Sequence, residues 1–243
     1  MEEEDLSDIY CILHPCSPVA YRATALIHQI TPQFTIHAAR DVRIHQRLDD
    51  HELENEDPAI TALESQGLVS CDIALRLSAA VKNRIDGGFY FGRNLSRCDI
   101  VLGRDDEVKR VSNIHFRIYI NEYSVIMLED QSTNGTIVDG TLLRAKDKEN
   151  GRESKITLEH GSVISLTVTP HEEDFRFIVR IPQRDPDVQA LYERNINDYF
   201  MRRHNAYAAR NERKAKDHNA RNAAKGLPVS SVSILTTISS DRI

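Results

Sequence analysis

Tryptophan is absent from the 243-residue chain, and aromatic residues make up only 6% of it. With a mean hydropathy of −0.44, the scarcity of large apolar side chains points to a local core and to other stretches that stay solvated. No run approaches the roughly 18 apolar residues of a membrane span. The first residues, Met1-Glu2-Glu3-Glu4-Asp5, are acidic where a secretory signal would be basic. These absences lead us to expect an intracellular protein of the nucleus and/or cytoplasm. The four cysteines, Cys11, Cys16, Cys71 and Cys98, are too few and scattered for a disulfide scaffold, and none forms a Cys-x-x-Cys pair. Cys11, His14 and Cys16 lie close together but lack a regularly spaced fourth ligand, so no metal and no cofactor is expected. Missing too are the Gly-x-Gly-x-x-Gly, Val-Ala-Ile-Lys, His-Arg-Asp and Asp-Phe-Gly strings of a protein kinase and the Gly-x-Ser-x-Gly elbow of a hydrolase. The chain is not expected to be an enzyme.

What is present divides the chain by texture. Hydrophobic residues reach 40%, enough for one medium domain with flanks, and the formal net charge is −6. Residues 1–65 read as a flexible acidic N-terminal arm, because Asp49 to Pro58 is dense in carboxylates and a single short apolar stretch, Ile9-Tyr10-Cys11-Ile12-Leu13, stands ahead of it. Over residues 66–182 short apolar runs alternate with turn residues. Phe89-Tyr90-Phe91, Phe116 to Ile120, Val125 to Leu128 and Phe175 to Val179 are strand-like, with breaks at Asp86-Gly87-Gly88, Asn134-Gly135 and His160-Gly161. Many short strands of this kind predict an all-β fold, a sandwich of two antiparallel sheets. The polar segment Leu143 to Leu158 reads as a long hairpin loop.

Residues 183–226 change pattern again. Asp185 suits a helix cap and Pro186 the first turn, and Val188, Tyr192, Ile196 and Tyr199 share one helical face, predicting a C-terminal helix whose second half is solvated. Arg202, Arg203, Arg210, Arg213, Lys214 and Lys216 could contact nucleic acid, but Glu212 and Asp217 interleave with them, which favours a solvated face and argues against nucleic acid as a partner. Residues 227–243 read as a disordered tail.

The chemistry lies in three turn sequences: Phe91-Gly92-Arg93-Asn94, Ser112-Asn113-Ile114-His115, and Asp130-Gln131-Ser132-Thr133-Asn134-Gly135-Thr136. They gather an arginine, hydroxyls and amides on loops between strands, beside glycines that permit close backbone approach, and so form an anion-reading surface. The Arg93 guanidinium can hold a phosphate through paired charge-assisted bonds, while Ser112, Thr133, Asn113 and Asn134 supply neutral donors. Two blander readings compete. Arg93 could pair with Asp105 or Asp106 at the surface, and Ser112, His115 and Asp130 could be read as a hydrolytic triad.

These three strings resemble the signature of the forkhead-associated (FHA) domain, a phosphothreonine-binding β-sandwich: Gly-Arg, then Ser-x-x-His, then Asn-Gly, here Gly92-Arg93, Ser112 to His115 and Asn134-Gly135. They look especially like the FHA domains that precede the kinase in fungal checkpoint-type protein kinases. The resemblance implies that Arg93 and Ser112 bind the phosphate with support from Thr133. It further implies that Asn134 holds the peptide main chain, that Asn113 borders it, and that Gly92, His115 and Gly135 are structural. Arg110 matches a position that reads the third residue after the phosphothreonine, where an arginine favours an acid. The function implied is recruitment of phosphothreonine-containing partners, kinases possible among them, in DNA-damage, checkpoint or related kinase signalling. An alternative is the front piece of an FHA-containing kinase, and a rival of another class is a nucleic-acid-associated scaffold using the basic helix. Thr61-Ala62-Leu63-Glu64 is a candidate self-ligand by the same preference.

Overall fold

β-Branched and aromatic runs pair into two sheets. The computed structural model of the protein describes residues 5–37, 73–81, 87–103, 110–145, 154–166 and 174–224. The acidic run Asp49 to Pro58, the candidate Thr61 to Glu64 and the expected tail at 227–243 all lie outside them. Contacts divide the chain into a unit over Met1–Phe200 and a second over Met201–Ile243.

In the first unit, β1 (Ile9–Pro15), β2 (Thr35–His37), β3 (Ile73–Ser78), β8 (Thr136–Val138), β9 (Thr141–Leu143), β11 (Val163–Ser165) and β12 (Arg176–Arg180) form one sheet in the order β2-β3-β1-β12-β11-β8-β9. The second sheet contains β4 (Phe89–Gly92), β5 (Ile100–Val101), β6 (Phe116–Ile120), β7 (Ile126–Asp130) and β10 (Lys155–Thr157), in the order β10-β7-β6-β4-β5. All pairings are antiparallel except β4 with β5, which run parallel and make this sheet mixed. Loop 93–99 carries the chain away from the end of β4 and brings it back to pair in the same direction.

The main correction concerns the arm. Residues 9–37 are built into the sandwich: β1 is buried at all seven positions and hydrogen-bonds to β3 on one side and β12 on the other. Its apolar run reads as continuous because both of its faces are covered, Tyr10, Cys11 and Leu13 joining the main core and Ile9 and Ile12 a smaller cluster with Ala74. A helix, α1 (Pro18–Ile30), follows. Ser17 caps it by accepting from the Ala20 N–H, Pro18 sits in its first turn, and Ala20, Tyr21, Ala23, Thr24 and Ile27 are buried. The Ser17 hydroxyl oxygen also accepts from the Arg176 N–H at 3.1 Å, which ties the helix start to β12. A second correction concerns Leu143 to Leu158, which is no hairpin. Strand β9 ends in one sheet and β10 pairs with β7 in the other, so the segment crosses between sheets.

The second helix, α2, spans Pro186–Ala224, with Asp185 accepting from the Val188 N–H at 2.9 Å. Its first fifteen residues belong to the first unit. There Ile196 and Tyr199 are buried, the Tyr199 hydroxyl accepts from the Gly88 N–H at 3.2 Å, and the Asn195 amide donates to the Ser7 carbonyl at 2.9 Å. Arg184 donates to the carbonyls of Leu6 and Ile9 and lies 3.7 Å over the Tyr192 ring, and burial lowers its pKa. The strand at the start of the unit is thus clasped by the residues that follow its last strand. In the second unit the helix continues through 201–224.

Between the sheets, Phe89, Phe91, Phe116, Ile118, Leu128, Val138, Ile164 and Phe177 are fully or almost fully buried, each contributing about 1.5–3 kcal/mol on transfer from water. Phe91 and Phe116 stack with centroids 4.5 Å apart, beneath the turns that carry the motif residues. Burial alternates along β6 and β7, so Ile126, Leu128 and Asp130 share the inner face. A carboxylate therefore stands at the inner end of β7.

Candidate functional site

Strand β4 ends in Gly92, and the loop after it is hydrogen-bonded to the turn before β6. The His115 N–H donates to the Phe91 carbonyl at 2.7 Å, the Arg93 N–H to the Ser112 carbonyl at 3.1 Å, and the Asn94 N–H to the Asn113 carbonyl at 3.2 Å. Gly92 is what allows this approach: a Cβ there would stand 2.5 Å from the Asn113 carbonyl oxygen and 2.9 Å from that of Ser112. The Cys98 thiol, buried behind the same turn, donates to the Asn113 carbonyl at 3.0 Å.

The third loop joins this pair through His115, which is fully buried. Its Nδ1 accepts from the Ser112 N–H at 3.1 Å, which leaves the proton on Nε2, and Nε2 donates to the Gly135 carbonyl at 3.1 Å. Burial lowers the pKa of this imidazole, opposed by the Gly135 bond and the nearby Asp130 charge, so the neutral ring links two loops. Gly135 itself has φ +97°, a conformation that side chains disfavour, and a Cβ there would meet the Leu143 carbonyl oxygen at 2.8 Å.

Asp130 organises the loop from below. Its buried carboxylate accepts from the Ser132 hydroxyl at 2.7 Å, the Thr136 hydroxyl at 2.7 Å, the Ala145 N–H at 2.8 Å and the Ser132 N–H at 3.3 Å. The Ser132 hydroxyl oxygen in turn accepts from the Gly135 N–H at 2.7 Å. The sequence does not single out Ser132, and it singles out Asp130 only as a member of the triad reading. Their signal is the Asp-x-Ser spacing, in which a carboxylate accepts from the N–H two residues on and folds a turn about itself.

On this frame the expected side chains stand together. The Ser112 hydroxyl oxygen accepts from the Thr133 N–H at 3.1 Å, so its own proton is available to donate outward. Half-buried Arg93 donates from Nε to the Asn113 side-chain oxygen at 3.3 Å, which orients the guanidinium along the same rim. Among the described residues no carboxylate forms an ion pair with Arg93, while Asp105 and Asp106 lie outside them. The Asn134 amide donates to the Arg110 carbonyl at 3.1 Å, tying the third loop to the residue two before Ser112. Asn113, Thr133, Asn134 and Arg110 are exposed, and Gly92, His115 and Gly135 are buried beneath them. The surface presents the Arg93 guanidinium, two hydroxyls and two amides from three loops, with Arg110 next to the second of them, a set suited to an anion attached to an extended chain.

The same bonds exclude the triad reading. His115 meets the backbone N–H of Ser112 rather than its hydroxyl, its other nitrogen is committed to a carbonyl, and the Asp130 carboxylate is occupied by Ser132, Thr136 and Ala145. No base faces a nucleophile here.

Residues 89–167 match the family model of the FHA domain. The chain carries an FHA domain. The matched region starts at β4 and runs through β11, so it holds all three loops, while β1, α1 and β3 precede it and β12 follows it. No curated protein matches the chain. Among solved structures, the N-terminal FHA domain of Saccharomyces cerevisiae Rad53p in complex with a phosphothreonine peptide is 28% identical, covering 48% of this chain and 89% of that one, with a TM-score of 0.37. An engineered FHA domain with a Myc-pTBD peptide is also 28% identical, covering 49% and 87%, with a TM-score of 0.36. The FHA domain of CT664 from Chlamydia trachomatis is 22% identical, covering 45% and 86%, with a TM-score of 0.32.

Proposed function

We propose that this FHA domain binds a phosphothreonine-containing peptide across its three loops and thereby recruits phosphorylated partners. One observation carries the reading: hydrogen bonds through His115, Ser112 and Asn113, with the Thr133 N–H donating to the Ser112 hydroxyl oxygen, gather the guanidinium of Arg93 and the hydroxyls of Ser112 and Thr133 on one rim. A phosphothreonine brings about −1.5 to −2 charges and three acceptor oxygens, which one guanidinium and a few neutral donors can satisfy. Arg93 and Ser112 take the phosphate with Thr133 in support, Asn134 holds the peptide main chain, Asn113 borders it, and Arg110 favours an acid three residues after the phosphothreonine. No step of this function requires a cofactor or a catalytic group. Its setting is kinase signalling of the DNA-damage or checkpoint kind, in the nucleus or cytoplasm, with kinases among the candidate partners. Among the described residues no helix is long and apolar enough to cross a membrane.

An oriented phosphothreonine peptide library screened against the protein tests this reading. Retention of phosphorylated peptides enriched in Asp or Glu at the third following position is the expected result. Equal retention of the unphosphorylated library would refute it, and retention with no preference at that position would remove the role of Arg110.

A further inference from the structure

Over residues 201–224 the chain holds seven arginines and lysines against two carboxylates, a surplus of five positive charges in a protein whose net charge is −6. In sequence the acids interleave with the bases. The structure makes this stretch one uninterrupted helix, and the helix re-sorts them. At about 100° per residue, Arg202, Arg203, Arg210, Arg213, Lys214, Lys216 and Arg221 all fall within an arc of roughly 160°. Glu212 lies off that arc and Asp217 alone interrupts it. Arg213, Lys214, Lys216 and Arg221 are exposed and Arg203 is half-buried.

We propose that this face of α2 binds the phosphate backbone of duplex nucleic acid, a second activity separate from the anion-reading loops. Three observations select that partner. The opposite face carries His204, Ala208, Asn211, Ala215, His218 and Asn222, and its two exposed large apolar side chains, Met201 and Tyr207, stand about 120° apart near its start, too few and too far apart for a seam that enters a bilayer or a hydrophobic groove. The seven alanines of the segment favour helix without tertiary support, so the charges are arrayed in advance of any contact. At about 1.5 Å per residue the segment is roughly 35 Å long, comparable to one turn of B-form DNA, along which a phosphate charge recurs about every 1.7 Å. Such contacts carry no base readout, so binding is insensitive to sequence and sensitive to salt.

The test is fluorescence anisotropy of the full chain with a labelled duplex DNA of arbitrary sequence, titrated from low to physiological salt. About five phosphate contacts give a slope of log affinity against log salt near −4.5. Combining Arg213→Gln, Lys214→Gln and Arg221→Gln, which keeps helix propensity, is expected to bring the slope to about −2 and to weaken binding at least tenfold at low salt. Circular dichroism of the variant checks that helix content is retained. An excess of phosphothreonine peptide should leave DNA binding unchanged; displacement would assign the DNA phosphates to the loops and overturn the proposal. So would absence of binding at low salt, an unchanged slope in a helical variant, or equal binding to polyglutamate or anionic vesicles.

Discussion

His115 donates from Nε2 to the Gly135 carbonyl while accepting from the Ser112 N–H, each across 3.1 Å, so one buried ring holds together the two loops that contribute Ser112 and Asn134. Replacing it by alanine strands a buried carbonyl and a backbone N–H, at a cost of roughly 1–3 kcal/mol for each group. His115→Ala should therefore lower unfolding free energy by about 3 kcal/mol in urea denaturation and weaken phosphopeptide binding, although His115 is fully buried. A loss below about 1 kcal/mol would show that the bridge is not what holds the loops.

The same ring has a pH consequence. Burial lowers the His115 pKa from its ordinary 6.5, so below that value the unfolded chain takes up a proton that the folded domain resists. The contribution is fully present above about pH 6.5 and is lost as pH falls toward the folded-state pKa. In ring-nitrogen NMR, His115 should be the neutral Nε2–H tautomer at pH 7 and should titrate below 6.5. A titration midpoint above 6.5 would reverse the assignment.

Gly92 and Gly135 should tolerate no larger residue, for different reasons. Gly92→Ala drives a methyl to within 2.5 Å of the Asn113 carbonyl oxygen, pushing apart the turns that carry Arg93 and Ser112. Gly135→Ala adds strain at φ +97° to a clash with the Leu143 carbonyl. Each is expected to cost about 1–3 kcal/mol, read by thermal denaturation, and Gly92→Ala to lose more affinity than stability alone accounts for.

Asp130 supports the loop without facing the rim. Asp130→Ala should destabilise the domain by about 3 kcal/mol, because two buried hydroxyls and two backbone N–H groups lose a charged acceptor. Asp130→Asn retains one acceptor oxygen and should fall between it and the wild type. Equal stability of all three proteins in urea would contradict this role.

How far the sequence revealed the molecule can be judged from particular residues. The loops were legible because Gly92, His115 and Gly135 each answer to a local requirement, a close approach, a bridging ring or a positive φ, that few other residues meet. Asp130 was visible only as an aspartate near a serine and a histidine, since its role depends on the alternation that turns it inward at the end of β7. Strand β1 was missed for a non-local reason. Ile9 to Leu13 is too short to classify alone, and its partner β12 stands more than 160 residues away in the register Ile12 to Arg180. The carboxylates of residues 49–57 also dominated the composition around it. The helix at 201–224 was foreseen as solvated, but the segregation of its charges appears only when the residues are wound at 3.6 per turn.

Calorimetry of a phosphothreonine peptide with the wild-type protein and with Arg93→Ala tests the central claim most directly. Wild type should bind, the unphosphorylated peptide should not, and Arg93→Ala should weaken binding by about 100-fold or more through loss of the paired charge-assisted bonds, with the unfolding midpoint unchanged. Arg93→Lys should recover little, since a point charge cannot reproduce the planar fork. Unchanged affinity in a folded Arg93→Ala protein would contradict the account.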